Sequence, residues 1–156
     1  MKSHLLIFVI MMFLGVSVRS QGVIREVRCF DSTVKREADS IKKVMANNGF
    51  IIVREASMSM ESGYEMPVIV PLTEGTWYQF SFIGDLSSKL FELRMFDYNE
   101  KQVVYQKHYG QDAGGNIISF SYIPKFTEYH ILKPVQINKK KKGDICGYIM
   151  MFKKVK

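Results

Sequence analysis

The chain has 156 residues, 47% of them hydrophobic, and 22 basic against 15 acidic side chains, a net charge of +7. That is enough chain and enough apolar matter for one buried core, which sets aside a disordered tail. With two cysteines and no H-E-x-x-H, paired-cysteine or EF-hand pattern, the common metal-site classes have no signature here.

Residues 1–20 read as a secretory signal peptide. Lys2 supplies the positive start, Leu5 to Val18 is almost wholly apolar, and Val18 and Ser20 are small enough for the cleavage subsites before Gln21. Fourteen residues at about 1.5 Å each give roughly 21 Å, short of the ~30 Å hydrocarbon core that a retained anchor would have to cross. The expected product is one domain, residues 21–156, exported to the periplasm or beyond and without a transmembrane span. Loss of Lys2 and Arg19 leaves 20 basic against 15 acidic groups, or +5. From Lys133 onward eight lysines face one acid, Asp144. For an exported protein an acidic polysaccharide, an anionic membrane face or no partner at all fits that end better than nucleic acid.

Cys29 and Cys146 lie near opposite ends of the exported chain, where an oxidising compartment favours a disulfide; unlinked buried thiols are the alternative. A helix is predicted over about 32–48. Asp31 or Ser32 caps it, Val34, Ala38, Ile41 and Met45 form one apolar face, and Asn47-Asn48-Gly49 stops it. The simplest use of that face is to cover the domain's own core.

From about residue 50 the period changes to two. Phe50 to Met60, Val68 to Leu72, Tyr78 to Phe82, Phe91 to Met95, Gln102 to Tyr105, Ile118 to Tyr122, Tyr129 to Ile131 and Cys146 to Phe152 give about eight strands. Polar turns at even spacing separate them, the pattern of an antiparallel β-sandwich or barrel. Thr73-Glu74-Gly75 reads as the turn of a hairpin, and Lys139, Lys140, Lys141 and Lys142 as the solvated tip of another between the last two strands. Pro67, Pro71, Pro124 and Pro134 are expected at or near strand ends, where a missing N–H is tolerated.

Residues 66–152 resemble the bacterial pre-peptidase C-terminal domain. Val70, Leu72, Gly75, Tyr78 and Phe80 match its first element, Leu93 and Asp97 its second, and Pro124, Tyr129 and Ile131 its return strand. Phe91 stands where the pattern has a leucine, and Glu128 where it usually has a glycine. The resemblance implies a jelly-roll-like sandwich that binds or assembles and has no chemistry of its own, here as a stand-alone module with an N-terminal helix.

Residues with chemical potential are scattered. His108, Ser119 and Asp112 can be drawn as a triad, but no G-x-S-x-G places a serine on a strained turn, and both His108 and His130 read as surface or rim side chains. Asp97, Asn99 and Glu100, or Asp112 with Asn116, could offer oxygens to Ca²⁺, though turns recruit such residues for backbone hydrogen bonds. Glu92 and Glu128 are the acids a glycosidase would pair; alternation turns Glu92 to solvent. Trp77, Tyr98, Tyr105, Tyr109 and Tyr129 could form a binding face. Trp77 has the parity opposite to Tyr78, Phe80 and Phe82, and so faces outward or packs beneath the helix. The expected protein is a non-enzymatic exported binding or accessory module of the cell envelope, with no cofactor or metal and with an envelope protein or an anionic glycan as partner. Trp77 and Lys139 to Lys142 are its candidate contacts. A hydrolase with an unrecognised site and a structural envelope subunit are the alternatives.

Overall fold

The helix forms where its apolar stripe requires it. The computed structural model describes residues 28–155, so the signal segment and its cleavage point lie outside the described residues. Helix α1 runs Ser32–Asn47, and Asp31 Oδ1 accepts hydrogen bonds from the N–H groups of Thr33 (2.8 Å) and Val34 (2.9 Å). It ends as Asn48 leaves helical backbone geometry and Gly49 takes a φ of 73°, a left-handed value that glycine adopts without steric cost. Val34 and Ala38 are buried, with Ile41 and Met45 packed alongside, against Phe50, Ile83, Met150 and Phe152. The stripe therefore serves the domain itself.

Eight strands follow: β1 (Phe50–Met60), β2 (Val68–Leu72), β3 (Tyr78–Ile83), β4 (Leu90–Phe96), β5 (Gln102–Tyr109), β6 (Ile117–Tyr122), β7 (Glu128–Ile137) and β8 (Ile145–Lys154). They form two four-stranded antiparallel sheets, ordered β1-β8-β3-β6 and β2-β7-β4-β5. Only β4 and β5 are both consecutive and paired; every other connection crosses from one sheet to the other. This is a jelly-roll β-sandwich with one helix laid on its first sheet.

That topology corrects two expectations. Gly75 (φ 69°) does turn the chain, but β2 pairs with β7 while β3 pairs with β6 and β8, so the turn crosses between sheets and is not a hairpin. The Lys139–Lys142 loop likewise joins β7 of one sheet to β8 of the other. A short glycine or polar turn fixes only that the chain reverses. The sheet it re-enters is decided by partners far away in sequence.

Proline placement needs a third correction. Pro71 lies in edge strand β2, but Pro134 is inside central strand β7, opposite Leu93. Its carbonyl accepts from Met66 N (3.2 Å), on the side where β2 has not yet begun. Within a strand residue N and O point to the same side, so the missing N–H falls where the ladder has no partner strand.

The core between the sheets follows the predicted alternation: Phe80 and Phe82 from β3, Phe91, Leu93 and Met95 from β4, Val70 and Leu72 from β2. Phe80 stacks on Phe120 at 5.1 Å between ring centroids. Strand β8 is buried on both faces. Ile149 and Met151 enter the sandwich core, while Cys146, Met150 and Phe152 lie under α1. At Gly147 an added Cβ would come within 2.6 Å of Met60 Sδ and 3.1 Å of the Phe82 ring, so a side chain there would force both to shift. Cys29 and Cys146 form a disulfide, with Cα atoms 5.5 Å apart, that ties the segment before α1 to β8.

Candidate sheet-face binding site

Helix α1 covers the outer face of the first sheet. Among the described residues no helix packs over the outer face of the second, onto which the segment between β1 and β2 reaches with Glu65. The side chains of that open face follow from register. Tyr105 on β5 stands beside Arg94 on β4, which stands beside Lys133 on β7; Lys107 and Glu92 form the next row.

The charges on this face are already ordered. Arg94 reaches Glu92 at 2.5 Å and Glu65 at 2.8 Å; Lys133 meets Glu65 at 3.0 Å and Lys107 meets Glu92 at 3.4 Å. The Arg94 guanidinium lies 5.7 Å from the Tyr105 ring centre, and Lys133 Nζ lies 4.8 Å from that of Phe96. Glu92 does face outward, as alternation predicts, but it is only 7% exposed because Arg94 and Lys107 fold over it. Burial pushes its carboxyl up, and the hydrogen bonds and charges of Arg94 and Lys107 outweigh that and hold it below the ordinary 4.5.

A carboxylate held low stabilises the fold fully above its ordinary value, and that stabilisation is lost as pH falls through the lowered one. Wild type is therefore expected to exceed Glu92→Gln in stability by about 1–3 kcal/mol at neutral pH. The gap should close progressively below about pH 4.5. Urea unfolding of both proteins from pH 7 to pH 3 measures it. A pH-independent gap would contradict the assignment.

The open face ends in a cleft of about 410 Å³ lined by Pro71, Leu72, Tyr98, Thr127, Glu128 and Tyr129. Tyr98 comes from the β4–β5 turn and is 72% exposed; Tyr129, on β7, is 58% exposed. The turn under Tyr98 is rigid because Asp97 Oδ1 accepts from the N–H groups of Asn99 and Lys101, both at 2.9 Å. Tyr105 and Tyr109 stand exposed farther along the same sheet. Four of the five predicted aromatics thus share one side.

Trp77 does not join them. It is 44% exposed, lies edge-on to Phe50 at 5.5 Å, and shares Lys154 Nζ with that ring. Both its neighbours lie at the end of α1, since Phe50 follows Gly49 directly and Lys154 Nζ also donates to Asn48 O. Lys139 to Lys142 lie at the other end of β8 from Trp77, so these two candidate contacts form no common surface.

The remaining candidates are dispersed. Ser119 bonds Ser81 (2.9 Å) on the helix-bearing sheet, Asp112 accepts from Tyr109 N (2.6 Å), and His108 packs on the edge of Phe91, so the triad does not assemble. His130 corrects the rim reading: it is 1% exposed, with Nε2 3.3 Å from the Tyr122 hydroxyl and 3.7 Å from Glu128. Its parity with the buried Leu132 was the available signal. Glu128 points inward beside His130 while Glu92 points outward, so the two acids do not face one another. Asn116 donates to Glu37 and to Gly84 O, both at 2.8 Å. Among the described residues no group of three His, Cys, Asp or Glu is placed to hold a metal, and no helix is long and apolar enough to cross a membrane.

No family model and no curated protein matches the chain. Solved structures do. A 4-O-methyl-α-glucuronidase with specificity for decorated arabinogalactans matches at 9% identity and TM-score 0.43, over 65% of this chain but only 14% of its own length. A family 4 carbohydrate-binding module matches at 14% identity and TM-score 0.40, over 67% of this chain and 77% of that one. A family 61 carbohydrate-binding module in complex with β-1,4-galactotriose matches at 12% identity and TM-score 0.36, over 69% and 83%.

Proposed function

We propose that this protein is an exported, non-catalytic glycan-binding module of the cell envelope, and that its ligand lies on the open face of the β2-β7-β4-β5 sheet. One observation carries the reading: the sheet left uncovered by α1 holds the exposed Tyr98, Tyr105, Tyr109 and Tyr129, with a cleft between the first and last of these. Tyrosine rings offer flat apolar faces to the C–H side of a sugar and a hydroxyl to its rim. The paired Arg94, Glu92, Lys107 and Glu65 add hydrogen-bonding groups whose positions are fixed before a ligand arrives. The disulfide suits an oxidising compartment and supports export. Kinship of residues 66–152 with the pre-peptidase C-terminal domain belongs to the same proposal.

The test is affinity electrophoresis and calorimetry against neutral and acidic polysaccharides. Combining Tyr98→Ala with Tyr129→Ala is expected to weaken binding at least about tenfold, since truncating a central aromatic anchor typically costs more than 1 kcal/mol. Trp77→Ala should leave affinity unchanged. The opposite pattern, with Trp77 required and the tyrosines dispensable, sinks the assignment.

A second reading, a structural subunit of an envelope assembly, draws on edge strand β1, where Ile51, Ile52 and Val53 are exposed. The ladder shifts register between Ile52 and Arg54, an interruption of the kind that blunts pairing at an edge.

A further inference from the structure

The tyrosine cleft and the lysine loop are joined by a single strand. β7 leaves the cleft at Tyr129, runs along the open face through Lys133, and passes from Ile137 into Asn138 and the four lysines. Ten residues at about 3.3 Å each put Lys139 roughly 33 Å from Tyr129. A linear ligand following β7 from the cleft arrives at that loop.

The loop is held in place at its base. Asn138 Oδ1 accepts from Lys140 N and Lys141 N, both at 3.0 Å, Asn138 N donates to Ser62 Oγ (2.8 Å), and Ser62 N donates to Lys142 O (2.8 Å). The charges themselves have little to meet. Lys141 lies 3.9 Å from Asp85, and among the described residues Lys139, Lys140 and Lys142 make no ion pair. Along the sheet, by contrast, the acids Glu65 and Glu92 are engaged by Arg94, Lys133 and Lys107. Glu128 in the cleft has only His130 beside it, at 3.7 Å, whereas at the loop end four lysines on an ordered backbone face Asp85 and Asp144, so the surplus positive charge is gathered at that end. Four adjacent like charges repel one another, and a ligand carrying several negative groups relieves that repulsion.

We infer that the ligand of the open sheet is a linear glycan bearing carboxylate, phosphate or sulfate groups, with sugar faces stacked at Tyr98 and Tyr129 and anionic substituents over Lys139 to Lys142. This rests on the sheet-face reading and names the substrate class for that site.

Binding is measured for wild type, the Tyr98→Ala/Tyr129→Ala pair, and the quadruple Lys139, Lys140, Lys141 and Lys142→Ser variant. The probes are a neutral galactan, polygalacturonate, a sulfated galactan and inorganic polyphosphate, at 50 and 500 mM NaCl; thermal unfolding checks that each variant is folded. The expected result is binding of the anionic glycans at least about tenfold tighter than of the neutral galactan, with most of that advantage lost at high salt and lost in the lysine variant. The tyrosine pair should weaken every glycan. Preference for polygalacturonate over the sulfated chain, or the reverse, identifies the anionic group. Equal binding of neutral and anionic chains, unaffected by the lysine variant, overturns this inference and leaves the sheet-face reading standing. Polyphosphate bound as well as the glycans, with the tyrosines irrelevant, overturns it in favour of a plain electrostatic patch. Binding of no glycan overturns both.

Discussion

Replacing Cys29 and Cys146 together by serine is expected to lower the free energy of unfolding by about 4–5 kcal/mol, the chain-entropy value for a closed loop of this size. The two cysteines are 117 residues apart, so the bridge constrains most of the unfolded chain. It also acts locally, because it fixes the segment leading into α1 against β8 and so holds the helix over Met150 and Phe152. Without it, α1 is retained by the Val34–Ala38 stripe, the Asn116–Glu37 hydrogen bond and the Lys42–Glu55 ion pair at 2.5 Å. Since domains of this size are stable by only about 5–15 kcal/mol, the loss is a large share. Guanidinium unfolding of wild type, with and without reductant, should show the reduced protein matching the double variant. A midpoint unmoved by either treatment contradicts the role assigned to the bridge.

Gln136→Ala should cost about 3–5 kcal/mol. The side chain is fully buried in β7 and links the two sheets at the lysine-loop end of the sandwich. Its Oε1 accepts from Asp85 N (2.9 Å) and Ser88 Oγ (3.2 Å), and its Nε2 donates to Cys146 O (3.0 Å) on β8. Truncation strands those partners away from water, at about 1–3 kcal/mol for each group left unsatisfied, and opens a cavity besides. Gln136→Leu separates the two effects, since it keeps the volume and removes the polar links. If hydrogen bonding is the main contribution, leucine recovers little. A leucine variant as stable as wild type would assign the whole effect to packing.

The fold class was legible because two local signals are strong in this chain. Period-two alternation through Val70, Phe80, Leu93 and Phe120 marked the core face, and the spacing of Val34, Ala38, Ile41 and Met45 marked the helix. Strand partnership was not legible. It depends on contacts such as Tyr78 with both Tyr122 and Lys153, which no local turn encodes. The double burial of β8 was visible only as an apolar run from Ile145 to Phe152, and alternation alone cannot tell such a run from one buried on a single face. The site was half legible. Four tyrosines were named as candidates, but their convergence on one sheet required the topology, and Arg94 was missed because its importance lies in cross-strand neighbours. Glu92 shows the limit of parity, which gives the direction a side chain points and not what folds over it.

Among the described residues strand β1 has one ladder neighbour, β8, with Phe50 opposite Lys154 and Met60 opposite Ile145. A chain delivered from its N-terminus therefore holds β1 without a mate until residues 145–154 emerge. The first sheet therefore closes only once β8 is available, and a chain stopped anywhere before Ile145 would leave two gaps in that sheet's hydrogen bonding, one beside β1 and one beside β3.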